Sequence, residues 1–146
     1  LRRARANLKA RSGEAAEAEE LGIRVARLLP DEDWRLRDVG NLFLSLDEPA
    51  KALPYYERAL EHGNTLQGRA ASYSSLADVH TRLGDPERAQ HFARNYINLV
   101  AANRENLTDA EIGLAAACQR ATYNYTGDSR RGYLAYAHAV RLLEDR

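Results

Sequence analysis

Arginine and asparagine stand four residues apart at two places in the chain, as Arg3 with Asn7 and as Arg37 with Asn41. Residues four apart lie on one face of a helix, so each pair presents its side chains together. An asparagine amide is both a donor and an acceptor and can bind a peptide main chain on both sides. The arginine fork suits a carboxylate. The pairs therefore favour binding of a protein segment, although solvated helix faces carry the same residue types.

The remaining reactive side chains do not form a catalytic pattern. The chain has no glycine-rich phosphate loop, no paired cysteines at metal-binding spacing and no H-E-x-x-H segment. Its one cysteine, Cys118, lies in an alanine-rich segment, which favours a small buried residue over a nucleophile. His80 falls at a position that we expect to lie in the core. We therefore predict a protein that is not an enzyme, with no metal and no cofactor.

Composition and charge narrow the class of protein. The chain has 146 residues, 45% of them hydrophobic and 29% charged, and glycine and proline are sparse. This favours one globular helical domain. Basic and acidic side chains number 21 each, so net charge gives no reason to expect nucleic acid. No apolar run approaches 18 residues, so we expect no membrane span, and we expect a cytoplasmic protein. The chain begins at Leu1 and contains no methionine, which we interpret as a fragment of a longer protein.

An internal repeat supplies the elements that would position the Arg–Asn pairs. Gly40 is followed at +3, +12, +16 and +19 by Phe43, Ala52, Tyr56 and Ala59. We call Gly40 the anchor of this frame. When the same distances are counted from three other anchor residues, small or aromatic residues stand at several of them. The four anchors follow one another at intervals of 34, 37 and 43 residues, and they are Ala6, Gly40, Ala77 and Arg120.

Turn-forming sequences divide each frame into two helices. Glycine can end a helix in a left-handed conformation, and aspartate before proline gives an N-cap followed by a residue preset for the first helical turn. These turns are predicted at 11–15, 46–50, 83–87 and 126–130. The sequence TDAE at 108–111 is predicted as a capping box that opens a helix. We therefore predict eight helices, at roughly 2–11, 14–28, 33–46, 49–62, 69–83, 86–104, 109–126 and 129–144.

This pattern resembles the tetratricopeptide repeat, whose period is about 34 residues and whose motif reads W-x2-L-G-x2-Y…A-x3-F…P. The clearest match is the second unit, through Leu36, Val39, Gly40, Phe43, Ala52, Tyr56 and Ala59. The resemblance implies an all-α, right-handed superhelical array of about eight helices in antiparallel pairs. It also implies a single repeat domain over residues 1–146, with units at approximately 1–30, 33–64, 69–104 and 109–146.

The resemblance further implies a concave groove, because in tetratricopeptide arrays a stripe of each unit's first helix lines it, at positions −6, −3, +1 and +4 from the anchor. The fourth unit places Leu114, Ala117 and Ala121 on this stripe. Such arrays are protein- or peptide-binding scaffolds, here expected to be the sensor or docking part of a larger regulator. The two arginines favour an acidic ligand, and Asp78 would select a polar or cationic group at one end. The predicted peptide-binding groove consists of Arg3, Asn7, Trp34, Arg37, Asn41, Ser74 and Asp78.

The last predicted helix supports an alternative function. Its apolar positions form a face wider than one buried stripe needs, and terminal repeats need a polar outer face to stay soluble. The face could be the surface on which a further unit of a longer chain packs. Alternatively, the protein is a self-associating assembly module, a homo-oligomer whose interface includes Tyr133, Tyr136, Val140 and Leu143.

Gly40 is the position at which this repeat frame makes its sharpest structural prediction. We expect it to face the partner helix of its own unit with almost no free volume. Leucine there would overpack the contact. Alanine would be nearly neutral or slightly stabilising, provided that a methyl group fits, because glycine is a poor helix former.

Overall fold

The computed structural model describes residues 2–125 and 127–145, and within these ranges it does not describe the side chains of 2–12, 124, 125 and 129. The described residues form seven α-helices and one short 3-10 helix, which confirms the all-α class. Within the same ranges, none of the helices is both long and apolar enough to cross a membrane. The helices are α1 (Arg2–Leu28), α2 (Asp33–Ser45), α3 (Pro49–Glu61), α4 (Leu66–Arg82), α5 (Pro86–Ala102), α6 (Asp109–Tyr125) and α7 (Ser129–Glu144), with the 3-10 helix at Arg104–Asn106.

The chain divides into two compact units, residues 1–62 and residues 63–146. In the first unit, α2 packs mainly on α3 and also contacts α1. In the second unit, α4 packs on α5, α5 on α6 and α6 on α7, and α4 also contacts α6. Helices that follow one another in the sequence are therefore the main packing partners within each unit.

The same type of turn joins the helices of three pairs: α2–α3, α4–α5 and α6–α7. In each, a residue with positive φ is followed by an acidic residue whose backbone N–H donates over 2.9 Å to a carbonyl five residues earlier. This bond is the mark of a helix end closed by a left-handed residue. The positive-φ residues are Asp47, Gly84 and Gly127, and the carbonyls belong to Phe43, His80 and Tyr123. All three carbonyls stand at the +3 position of the repeat frame, so the predicted turns at 46–50, 83–87 and 126–130 are confirmed.

The predicted turn at 11–15 is wrong, because α1 runs without a break from Arg2 to Leu28. The segment 11–15 contains Gly13 but neither the proline nor the aspartate of the other turns. A single glycine costs a helix only about 1 kcal/mol, and the alanine and glutamate residues that follow it are good helix formers. The first frame therefore contains one long helix in place of two, and the described chain has seven α-helices in place of eight.

Two other helix starts show how side chains set the boundaries. Helix α4 begins at Leu66, three residues earlier than predicted, because the Thr65 side chain accepts a hydrogen bond from the Gly68 N–H over 2.9 Å. Helix α6 begins after Thr108, as predicted, with Thr108 Oγ1 3.4 Å from the Glu111 nitrogen. The Glu111 carboxylate accepts a hydrogen bond of 2.8 Å from the Tyr96 hydroxyl, so it ties α6 to α5.

A close helix contact in the first unit lies between Gly40 of α2 and Tyr56 of α3. A Cβ atom at Gly40 would lie 2.6 Å from Cε1 of Tyr56 and 2.9 Å from two other ring atoms. The Tyr56 ring is fully buried, and Phe43 stacks on Tyr55 at 5.5 Å beside it. The predicted close approach at Gly40 is confirmed. The condition attached to alanine is not met, because no room for a methyl group exists.

The second unit has its core where α4, α5, α6 and α7 meet. His80 is buried and stacks on Phe92 with ring centroids 5.5 Å apart, which agrees with the core position expected for it. The predicted fourth frame was anchored on Arg120, which is exposed; other residues of α6 supply its packing. A buried hydrophobic cluster of this unit consists of Ala70, Tyr96, Ile97, Val100, Leu107, Ile112, Ala115, Ala116, Ala139 and Leu142.

Candidate functional site

The residues of the predicted groove are distributed over both units. The side chains of Arg3 and Asn7 lie outside the described residues. The other five lie on α2 of the first unit and on α4 of the second, and they are Trp34, Arg37, Asn41, Ser74 and Asp78. A single continuous strip of seven residues therefore stays a prediction.

Arg37 and Trp34 are engaged with neighbours close in sequence. The mostly buried Arg37 guanidinium donates to Asp33 Oδ2 over 3.0 Å. Burial opposes ionisation of Asp33, but the hydrogen bonds from Arg37 and the backbone outweigh it and lower the pKa of the Asp33 carboxyl. The exposed Trp34 ring lies 4.9 Å from the Arg35 guanidinium, and its Nε1 donates to Glu32 over 2.6 Å. Arg37 is thus held by an acidic neighbour, and the preference for an acidic ligand stays a prediction.

Asn41 lies at the edge of a groove between α1 and α2. Its Oδ1 accepts a hydrogen bond of 2.5 Å from the Tyr56 hydroxyl, so the amide supports the α2–α3 contact, and its NH2 group is a further donor. The groove has a volume of about 480 Å³. Its α1 wall is largely apolar, and its α2 wall mixes polar and apolar side chains. It is lined by Ala18, Leu21, Gly22, Val25, Asp38, Val39, Asn41, Leu42 and Ser45.

Ser74 and Asp78 line a second groove, between α4 and α6, which we call the α4–α6 groove. Its volume is about 380 Å³. The predicted site includes Ser74 and Asp78 but not the α6 wall, although the repeat frame places three α6 residues on the groove stripe. Because these three are apolar or small, they carry no chemical signal of binding in the sequence. The groove is lined by Ser74, Ala77, Asp78, Thr81, Leu114, Ala117, Cys118, Ala121 and Thr122.

The α4–α6 groove combines an apolar wall with a carboxylate. Leu114 is more than half exposed even though it is a large apolar side chain. The hydroxyls of Thr81 and Thr122 each donate over 2.8 Å to a carbonyl of their own helix. Asp78 is exposed, with Oδ1 3.3 Å from Arg82 Nε, and such an exposed pair on one helix is weak. The groove therefore suits a ligand that offers an apolar group next to an N–H donor or a cation.

Cys118 lies on the floor of this groove and is poorly suited to be a nucleophile. Burial, which disfavours the thiolate, raises the pKa of the Cys118 thiol to about 11. The nearby Asp78 carboxylate acts in the same direction, and a hydrogen bond with Ser74 acts against it. The thiol is therefore protonated at neutral pH, and the thiolate is the reactive form.

We expect Cys118 to react slowly with a thiol reagent such as a dithiobis-nitrobenzoate. A pKa of about 11, against the ordinary value of 9.0, lowers the thiolate fraction at pH 8 by about a hundredfold. The rate should keep rising with pH beyond pH 9, where an ordinary thiol levels off. The measurement is the rate constant between pH 7 and pH 10, with the unfolded chain in urea as the control. A native rate that levels off near pH 9 would contradict the buried position of the thiol.

The four predicted interface residues of α7 are all exposed. Tyr133 is 73% exposed, Val140 48%, Tyr136 39% and Leu143 37%. The Arg120 guanidinium of α6 lies 5.3 Å from the Tyr136 ring centroid. These four side chains thus form an apolar surface, distinct in position from the α4–α6 groove.

A metal site does not emerge from the described part of the chain. Within it, no three histidine, cysteine, aspartate or glutamate side chains lie close enough together to hold a metal ion.

Comparison with known proteins identifies the fold alone. No protein-family model matches the chain, and no curated protein matches it. The crystal structure of BtubC (BKLC) from P. vanneervenii is similar, with a TM-score of 0.66 and 21% sequence identity. The match covers 77% of this chain and 47% of that chain, so the present chain spans about half the length of the structure that it resembles.

Proposed function

We propose that this chain is a tetratricopeptide-like repeat domain that binds an extended segment of another protein in the α4–α6 groove. The observation that carries the proposal is that α4 and α6, the helices predicted to open the third and fourth repeat units, face each other across this groove through their stripe positions. Six residues of the lining stand on that stripe: Ser74, Asp78, Thr81, Leu114, Ala117 and Ala121. The proposed role is binding and not catalysis.

The repeated turn supports the tetratricopeptide part of the proposal. Three helix pairs close with the same backbone hydrogen bond at the same position of the repeat frame. After each turn, the residue at +12 from the anchor of its frame is small and buried: Ala52, Ala89 and Gly132. A small residue at this position lets the paired helices approach closely. A pattern that recurs in both sequence and structure favours a repeat architecture over an unrelated helical bundle.

The lining of the groove defines the chemistry of the proposed ligand. Leu114 and the neighbouring alanines offer an apolar wall for a leucine-sized side chain. The Asp78 carboxylate would accept a hydrogen bond from a main-chain N–H or from a lysine or arginine side chain. An extended segment presents both groups at once, since its side chains point to its two faces and its N–H groups lie along its edges. We further propose that the protein acts in the cytoplasm.

A selection from a phage-displayed library of random 12-residue peptides tests the proposal. We expect enriched peptides to carry an apolar residue close to a lysine or arginine. Ala121→Arg should fill the groove and weaken the selected peptides at least tenfold, which corresponds to about 1.4 kcal/mol. Because Ala121 is exposed, the fold should be unaffected. Fluorescence polarisation of labelled peptides gives the affinities.

Ala102→Arg is the matched control, because Ala102 is an exposed alanine at the end of α5 and does not line the groove. It should leave the affinities unchanged. Asp78→Asn should weaken peptides that carry a cation and reduce the dependence of their affinity on salt. Peptides that bind the Ala121→Arg variant as tightly as the parent would place recognition outside the groove. A selection that enriches no sequence would count against peptide binding.

A further inference from the structure

Helix α7 carries two apolar stripes, of which only one is buried. Ala135, Ala139 and Leu142 are buried in the second unit. The second stripe, which we call the outer stripe, lies beside the first and is exposed. It consists of Tyr133, Tyr136, Val140 and Leu143. Single exposed apolar residues are ordinary on a protein surface, but four on one face of a helix form an apolar patch of the kind that marks an interaction surface.

The spacing of the outer stripe is that of a helix–helix seam. Its members follow one another at three, four and three residues, which is the a, d, a, d order of a heptad repeat. On the side away from the core, the same heptad places Arg130, Ala137 and Glu144 at equivalent flanking positions, seven residues apart. Such flanking positions carry the ion pairs that set the orientation of paired helices.

The charges on this flank complement a second copy of the same helix, but only in one direction. Arg130 and Glu144 are exposed, and neither forms an ion pair with another side chain among the described residues. In an antiparallel pair centred on Ala137, Arg130 of each copy faces Glu144 of the other. In a parallel pair, these positions would instead face the opposite flank of the partner helix, where Gly132 and Ala139 are uncharged, so no such ion pair could form. The small Ala137 would meet its own symmetry mate, where close approach is needed.

We propose that α7 pairs with α7 of a second copy of this chain, antiparallel and about a two-fold axis near Ala137. The outer stripes form the apolar seam, and two Arg130–Glu144 pairs close its ends, about 21 Å apart along the helix. The contact uses the same patch on both copies, as a closed two-fold dimer requires. It does not depend on the α4–α6 groove, so it can hold or fail independently of the proposed function.

Sedimentation velocity on the 146-residue chain, from micromolar to several hundred micromolar, tests this pairing. We expect a monomer–dimer equilibrium for the parent. Val140→Glu should shift it to monomer, with a dissociation constant at least a hundredfold higher. Val140 is exposed, so this variant should keep the circular dichroism spectrum and melting temperature of the parent. Arg94→Glu, an exposed charge reversal on α5, is the matched control for the charge variants.

Charge reversal tests the direction of pairing. Arg130→Glu and Glu144→Arg should each weaken the dimer by about tenfold, because each turns both ion pairs into repulsions. The double variant should restore the affinity of the parent, and an equimolar mixture of the two single variants should form a mixed dimer. Arg94→Glu should have no effect.

Three results would overturn the proposal. A parent that is monomeric at the highest concentration would rule out pairing of α7 with a second copy of this chain. A dimer that survives Val140→Glu would place the interface elsewhere. A dimer that is lost with Val140→Glu but indifferent to both charge reversals would exclude the antiparallel orientation.

Discussion

Gly40→Leu is expected to destabilise the first unit by about 3 kcal/mol, the upper end of the usual cost of overpacking. Even a Cβ atom at this position would lie 2.6 Å from the ring of Tyr56, which is fully buried and cannot move aside. Gly40→Ala should also destabilise, by about 1 kcal/mol, because the clash exceeds the gain in helix propensity. Urea unfolding followed by the fluorescence of Trp34, the chain's one tryptophan and a residue of α2, measures both effects.

Gly13→Leu is the matched control for this substitution. Gly13 also lies within a helix, but a Cβ atom there would meet nothing within 4 Å. Replacement of glycine in an exposed helix interior should stabilise α1 by up to about 1 kcal/mol. A Gly40→Leu variant as stable as the parent would mean that α2 and α3 do not approach each other at Gly40. A destabilising Gly13→Leu would mean that α1 is interrupted there.

Ile112→Ala is expected to destabilise the second unit by about 2–5 kcal/mol, the range for truncating a buried isoleucine. Ile112 is fully buried and belongs to the cluster in which α4, α5, α6 and α7 meet. Leu114→Ala, two residues further along the same helix, should change the stability by no more than about 0.5 kcal/mol, because Leu114 is exposed. Urea unfolding followed by far-ultraviolet circular dichroism gives the midpoint and slope for each variant.

The same two variants should separate folding from recognition. Leu114 lines the α4–α6 groove, so Leu114→Ala should weaken a selected peptide while leaving the fold intact. Ile112 does not line the groove, so Ile112→Ala should affect binding only by lowering the fraction of protein that is folded. A Leu114→Ala variant that loses stability as much as Ile112→Ala would show that Leu114 is packed in the core and that the groove is closed.

The turns could be predicted from the sequence because their chemistry is local. Each of the three confirmed turns brings together a helix-ending residue and an acidic or proline residue within five positions. The same reasoning fails at Gly13, because a single glycine is compatible with a turn or with a helix and the surrounding residues decide between them. Gly40 was predictable for a different reason, because the repeat frame specifies which helix it must face.

The groove residues illustrate the limit of pattern reasoning about a site. The ion pair between Arg37 and Asp33 could be predicted from the sequence, because Asp33 stands four residues before Arg37 on the same helix. The hydrogen bond between the Tyr56 hydroxyl and Asn41 could not be predicted, since it joins two helices and depends on their exact separation. The same holds for Tyr96 and Glu111, where a glutamate expected to cap its own helix binds a neighbouring one. A polar side chain expected to bind a ligand can instead form a hydrogen bond within the protein, and the sequence alone does not show which it does.

The three short turns have a consequence for how the chain acquires its structure. Each turn connects helices that pack directly on each other, so most contacts of a pair join residues close along the chain. The entropy lost in closing a loop grows with loop length, and it is therefore small for each of these pairs. Proteins of such low contact order fold in microseconds to milliseconds. Each helix pair can thus serve as a nucleus on which the remaining helices of its unit condense, without a slow search for a distant partner.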